Sequence, residues 1–269
     1  MAISNQVTHF GPLLREWRLA RRLTQEALAE RAEVSTRHLS FLETGRSQAS
    51  REMTLTLGDA LDLPLRERNS LLVAAGFAPV YRETALDAAP MLHVRRALER
   101  MLAQQEPYPG IVIDRTWNVV QMNKGGVRLF SRLYGGQAPP PEVSGNLVHA
   151  LFHPRGLRRV IVDWPTLAGV MAQRLHRDVA ADPSHEGLRA LRDAVLRYPG
   201  VPEGLRAPPL AGAPPIAVAV HVRAPDGGEA RIFSILASLG TPLDVTAEEL
   251  QIELYFPVDD ASEAFLRAC

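Results

Sequence analysis

The chain has 269 residues, 46% of them hydrophobic and 6% aromatic, and its 30 basic and 30 acidic side chains cancel to a formal charge of zero. That length exceeds one small domain and sets an expectation of about two, each with apolar material for a core. Zero net charge excludes a uniformly basic nucleic-acid coat, the single cysteine (Cys269) excludes an internal disulfide, and no run approaches the roughly 18 apolar residues of a membrane span, so a cytoplasmic protein with no membrane association is expected.

From the N-terminus, Gly11 to Arg21 reads as a helix with Leu13, Leu14 and Trp17 facing inward. Thr24 can cap a second helix and Ser35 a third, each accepting a hydrogen bond from an orphan backbone N–H. Leu28, Ala29 and Ala32 form one apolar stripe, and Leu39 with Leu42 forms the other. Glu33-Val34 is the turn between the two helices, and Gly45 ends the third as a residue free to adopt positive φ. Met53 to Leu61 and Leu65 to Ala75 supply two more helices, with Gly76 stopping the last. This is the grammar of a helix-turn-helix, whose second helix enters the DNA major groove.

Residues 23–46, extended to about 11–78, resemble the five-helix DNA-binding domain of the phage-repressor (Xre/Cro, lambda-repressor-like) type. The segments carrying the likeness are Thr24-Gln25, Ala29, Val34-Ser35, Leu39 and Leu42-Glu43-Thr44-Gly45-Arg46. The resemblance implies base reading by Thr36 and Arg37, with Ser40 and Phe41 one turn on. For Arg37 both a bidentate contact with guanine and a phosphate contact or solvated charge remain open. Gln25 and Arg46 suit phosphates and His38 a surface or phosphate contact, and Ser35, besides capping the helix, belongs to the same expected DNA-binding set. The resemblance also implies an ion pair between Arg18 and Glu43 that locks the helices. Residues 1–80 carry ten arginines against nine carboxylates, so any basic footprint must be local and specific binding is expected to need a dimer.

Residues 81–90 read as a connector between a DNA-binding domain at 1–80 and a second domain at 91–269. A helix over 93–105 precedes two short strands, 111–114 and 117–123, around a turn at Arg115-Thr116. Asn123 can cap a helix through Leu129, Phe130 and Leu133, and a Gly/Pro-rich loop covers 135–145. Residues 146–198 read as helical throughout. A Pro/Gly-rich stretch over 198–215 leads to three strands at about 216–224, 231–239 and 251–256, the first two joined as a hairpin by Asp226-Gly227-Gly228.

Two strands, several helices and three strands is an order similar to that of PAS-type domains. Glu106-Pro-Tyr-Pro, Trp117-Asn-Val, Asp163-Trp, Tyr198-Pro-Gly-Val and the run from Gly240 to Pro257 resemble the ligand-binding half of MmyB-like transcription regulators. The fold class expected is therefore α+β: an all-α helix-turn-helix domain, then a PAS-like domain with a five-stranded antiparallel sheet and covering helices. The resemblance implies a pocket for a fatty-acid-like or other apolar molecule, with no obligatory cofactor. Met122, Phe130, Leu167, Met171, Leu175, Phe233 and Ile235 are candidate lining residues, although taken singly a plain core role is the more frequent one for such side chains. Arg174 is the first choice of cation for a ligand carboxylate, beside Arg158, Arg159 and His176.

Catalysis is not expected, because the histidines form no H-E-x-x-H pair and no phosphate loop or Gly-x-Ser-x-Gly elbow occurs. The leading expectation is a ligand-responsive transcription regulator acting as a homodimer on a palindromic operator of double-stranded DNA. Two alternatives stand beside it: a regulator whose second half is only a dimerisation or protein-interaction platform, and an antitoxin-like binder.

Overall fold

The computed structural model describes residues 9–208 and 219–269. The chain divides into two compact units, the first running to Thr84 and completed by Ala180–His185 and Thr241–Glu248, the second made of the remaining residues.

The first unit holds α1 (Phe10–Ala20), α2 (Gln25–Arg31), α3 (Thr36–Glu43), α4 (Arg51–Ala60) and α5 (Leu65–Ala74). Leu14, Trp17, Leu28, Leu39, Leu42 and Leu57 are fully buried together, so the two predicted stripes do form one core. Gly11 is fixed by packing: a Cβ there would lie 2.5 Å from the Glu43 carbonyl oxygen, so α1 meets the end of α3 backbone to backbone. Thr24, Ser35 and Ser50 cap their helices through the N–H groups of Ala27, His38 and Met53. α5 follows Pro64, which has no side-chain acceptor, and the Glu248 carboxylate accepts from Leu65 N at 2.7 Å instead. Ser184 Oγ donates to Glu67 at 2.7 Å, and Arg21 donates to the Ala181 carbonyl at 2.6 Å, so the two late segments are bonded into this unit.

All five helices end alike. Arg22, Glu33, Gly45, Asp62 and Gly76 each sit at positive φ, and the next N–H reaches back into the helix, as from Val34 to Ala29 O at 2.9 Å and from Arg46 to Phe41 O at 2.8 Å. This is the Schellman closure, which satisfies carbonyls the helix leaves unpaired. Glycine supplies it at two of the five ends and L-residues supply it at the other three.

The second unit opens with α6 (Leu92–Gln105), then β1 (Gly110–Ile113), β2 (Val119–Met122) and α7 (Lys124–Leu133). After the loop come α8 (Leu147–Phe152), α9 (Trp164–Ala181), α10 (Glu186–Leu196), β3 (Val220–Arg223), β4 (Glu229–Ser238), α11 (Val245–Glu249), β5 (Gln251–Pro257) and α12 (Asp260–Arg267). The five strands form one antiparallel sheet in the order β2-β1-β5-β4-β3, with β5 in the middle. Side chains alternate across it. One face packs α6 through Leu98, Leu102, Val112 and Ile252. The other carries Ile111, Ile113 and Ile232 into the main core with residues of α7 to α10 and α12.

The expectation of helix throughout 146–198 is corrected: the helix breaks after Phe152 and again after Ala181, at stretches holding Pro154 and Pro183, because proline lacks the N–H that a helix interior needs. The start of the expected third strand (216–218) and residues 209–215 of the Pro/Gly-rich stretch lie outside the described residues. At Gly125 and Gly126 the start of α7 lies close against the preceding chain. Cβ atoms there would fall 2.5 Å from Pro107 O and 2.4 Å from Met122 Cγ, so they let α7 sit directly on the preceding chain.

Candidate nucleic-acid interface and ligand cavity

The outer surface of α3 follows from its cap and its lock. Ser35 Oγ accepts from His38 N at 3.1 Å, which starts the helix at Thr36 and leaves Thr36 and Arg37 exposed on its first turn. The Arg37 guanidinium lies over the Phe41 ring at 5.3 Å, one turn on, a cation–π contact that holds an otherwise free side chain. Ser40, Phe41 and His38 are half-buried, and Arg46 is exposed beyond the C-terminal closure.

Gln25, at the start of α2, is half-buried, and its Nε2 donates to Glu43 Oε2 at 2.8 Å. Glu43 thereby receives Gln25 as well as Arg18, whose Nε and Nη2 donate at 2.6 and 2.9 Å. Burial would raise the Glu43 carboxyl, but the hydrogen bonds from Arg18 and Gln25 outweigh it and hold the group below its ordinary value. Arg18 also donates to the Leu23 carbonyl at 2.8 Å, so a single guanidinium ties α1 to the entry of α2 and the end of α3.

In the second unit a cavity of about 450 Å³ opens between β2, α7, the loop after it and the start of α8. Val119, Met122, Val127, Phe130, Tyr134 and Leu147 line it, a predominantly apolar surface. Its size falls within the range of small-molecule sites. Of the candidate lining residues, Met122 and Phe130 are brought together here. Leu167, Met171 and Leu175 are buried in the core along α9. Phe233 and Ile235 point to the sheet face that carries Val112 and Ile252, where Phe233 stacks on Phe256 at 5.5 Å and Ile235 is 51% exposed.

The candidate cations are mostly engaged. Arg158 donates to the carbonyls of Pro199 and Gly200 and covers the Trp164 ring at 3.7 Å. His176 is buried with Nε2 at 2.8 Å from the Leu205 carbonyl. Arg174 lies over Trp117 at 4.5 Å, donates to Gln251 Oε1 at 3.3 Å and is 3.8 Å from the Asp178 carboxylate. Arg159 is exposed and stands 5.8 Å from the ring of Tyr134, a cavity residue.

Sequence reasoning missed a polar cluster on the inward face of the sheet: Glu253, Ser234 and Tyr255. Burial raises the Glu253 carboxyl, against hydrogen bonds from Ser234 and Tyr255 and the charge of Arg174. Burial, with the Glu253 charge beside it, also raises the Tyr255 phenol well above its ordinary value. The alternation in Gln251-Ile-Glu-Leu-Tyr-Phe was the available signal, but polar residues at period two read as a solvent face. Among the described residues no His, Cys, Asp and Glu side chains gather to hold a metal ion, and no helix is long and apolar enough to cross a membrane.

Two family models match the chain. Residues 9–71 match a helix-turn-helix domain, and residues 94–268 match the ligand binding domain of MmyB-like transcription regulators. No curated protein matches. Among solved structures, one described as "Structure of an RNA-binding Light-Oxygen-Voltage Receptor" is similar at 15% identity with a TM-score of 0.26, over 95% of this chain and 60% of that one. The chain thus spans about 60% of that structure's length, and a likeness this loose carries no argument.

Proposed function

Since this chain belongs to the MmyB-like transcription regulators, we propose that its DNA-binding domain recognises a palindromic operator as a homodimer and that an apolar small molecule, fatty-acid-like in its body, controls that binding from the second domain. The chain is a DNA-binding transcription regulator with a ligand-binding domain; operator, dimer and ligand class are the proposal. We assign base contacts to Thr36 and Arg37, backbone contacts to His38, Ser40 and Arg46, and helix support to Ser35, Phe41 and Gln25. We divide the chain near residues 81–90, in keeping with the change in element type there.

The observation that carries the ligand reading is the 450 Å³ apolar cavity around Met122 and Phe130. An alkyl chain buried there gains about 0.8 kcal/mol per methylene, enough for a handful of carbons to hold a ligand. The sheet order β2-β1-β5-β4-β3, cupping helices on one face, supports the PAS-like description. Occupancy would act by favouring one spacing of two recognition helices, which must lie about one DNA turn apart.

A second reading, in which this domain works as a dimerisation platform, is favoured by exposed Ile235 beside the Phe233–Phe256 pair. Native mass spectrometry of the purified protein, followed by organic extraction, separates the two. A stoichiometric lipid-like species that shifts operator affinity supports the sensor. A ligand-free dimer, with operator affinity indifferent to added alkyl compounds, overturns it in favour of the platform.

A further inference from the structure

Three arginines of the first unit lie over aromatic rings, and they differ in what their donor edges do. Arg21 covers Trp17 at 5.1 Å, and its N–H groups go to the carbonyls of Leu61, Asp62 and Ala181. Arg68 covers Tyr81 at 6.0 Å and donates to the Leu63 carbonyl and the Asp59 carboxylate. In both, the guanidinium edges are engaged in holding the fold. Arg37 covers Phe41 at 5.3 Å, and among the described residues no acceptor takes its N–H groups. It has the same stack with its edges unengaged, on the exposed first turn of α3.

The platform under Arg37 is well fixed. Residues four apart on a helix are neighbours on its surface, and Leu39 and Leu42 anchor α3 in the core. The Phe41 carbonyl accepts from Arg46 N at 2.8 Å, from Ser47 N at 3.2 Å and from Thr44 Oγ1 at 3.4 Å. The backbone that carries the ring is thereby tied into the closure of the helix. A guanidinium stacks through its flat face and donates through its edges, so lying on Phe41 leaves its hydrogen-bonding capacity intact. An arginine held this way has already given up part of the rotamer freedom that a DNA contact would remove.

We infer that Phe41 is a positioning residue for base recognition. It holds the Arg37 guanidinium by its face and leaves the edge donors for the O6 and N7 acceptors of one guanine in the operator. The inference rests on the reading above that Arg37 contacts a base. It deepens that reading in two ways: guanine is the base read, and the aromatic ring at position 41 sets how strongly it is preferred.

The test uses the full chain and a duplex that the wild type enriches from a pool of random-sequence DNA. Binding to every single-base variant of that duplex is measured by fluorescence anisotropy. Arg37→Ala is expected to remove a guanine preference of about 5- to 100-fold at one position per half-site. At that same position, and at no other, Phe41→Leu is expected to lower the preference about two- to fivefold, while Phe41→Tyr, which keeps a ring, retains it. Full guanine preference in Phe41→Leu overturns the positioning role and leaves the Arg37 reading standing. Equal losses at all positions overturn it as well, since they would make Phe41 a structural residue. An unchanged base preference in Arg37→Ala overturns the base reading and the positioning with it. A pool from which the wild type enriches nothing overturns operator recognition itself. Should Phe41→Leu fail to fold, Phe41→Met, apolar and without a ring, replaces it with the same two outcomes.

Discussion

Arg18 and Glu43, 25 residues apart, meet through two parallel hydrogen bonds of 2.6 and 2.9 Å while both side chains are buried. Removing either partner strands a buried charge, so Arg18→Ala or Glu43→Ala should lower unfolding stability by about 3–5 kcal/mol, read from the urea midpoint. The Glu43 carboxyl is held below its ordinary value of 4.5 in the folded state. Its contribution is thus present above that pH and lost as pH falls through the lowered folded value. In Glu43→Gln this part of the acid destabilisation should vanish; an unchanged acid profile would assign it to other carboxylates.

Arg37 is exposed and lies over the Phe41 ring. Arg37→Ala should therefore leave the thermal midpoint unchanged and weaken preference for the operator over scrambled DNA by about 1–3 kcal/mol. Equal weakening on both DNAs, with a shallower salt dependence, would make it a phosphate contact instead.

Glu33 occupies the positive-φ closure of α2 with φ of 54°. An L-residue in that region costs roughly 1–2 kcal/mol, partly offset in a glycine variant by the larger entropy of the unfolded chain. Glu33→Gly should raise stability by up to about 1 kcal/mol. A loss would mean that the Glu33 side chain makes a contact that outweighs the backbone strain.

Ser131 is exposed and lines the cavity beside Phe130. Ser131→Trp should fill the entrance without disturbing the core, abolishing stabilisation by decan-1-ol in thermal shift while leaving operator affinity of the unliganded protein as it was. Undiminished stabilisation would place the ligand elsewhere in the domain.

The helix-turn-helix was legible because its determinants are local. Thr24 and Ser35 cap within three residues of themselves, and the apolar spacings are set by the helical period. Gly45 and Gly76 announced two closures, whereas Arg22, Glu33 and Asp62 adopt the same backbone without any glycine to signal it. The break after Phe152 was missed because apolar spacing continued on both sides of Pro154 and masked the interruption. Of the apolar pocket candidates, Met122 and Phe130 reached the cavity because they border the β2–α7 junction, where the chain turns away from the sheet.

What the sequence determined by itself, then, was the helix-turn-helix with its exposed turn of α3 and the succession of two strands, a helical region and three strands, because caps, periodicity and turn residues act over a few positions. The tertiary structure alone decided which face of each strand looks inward. A strand's alternation names two faces but not the one that will be covered; that depends on where α6 and α9 pack. For this reason Phe233 and Ile235, apolar in sequence, stand on the face away from the main core, while Glu253, charged in sequence, is buried on the face toward it. The partners of Glu253 come from β4 and from β5 itself, and only the register of those strands brings Ser234 to within 2.7 Å of its carboxylate.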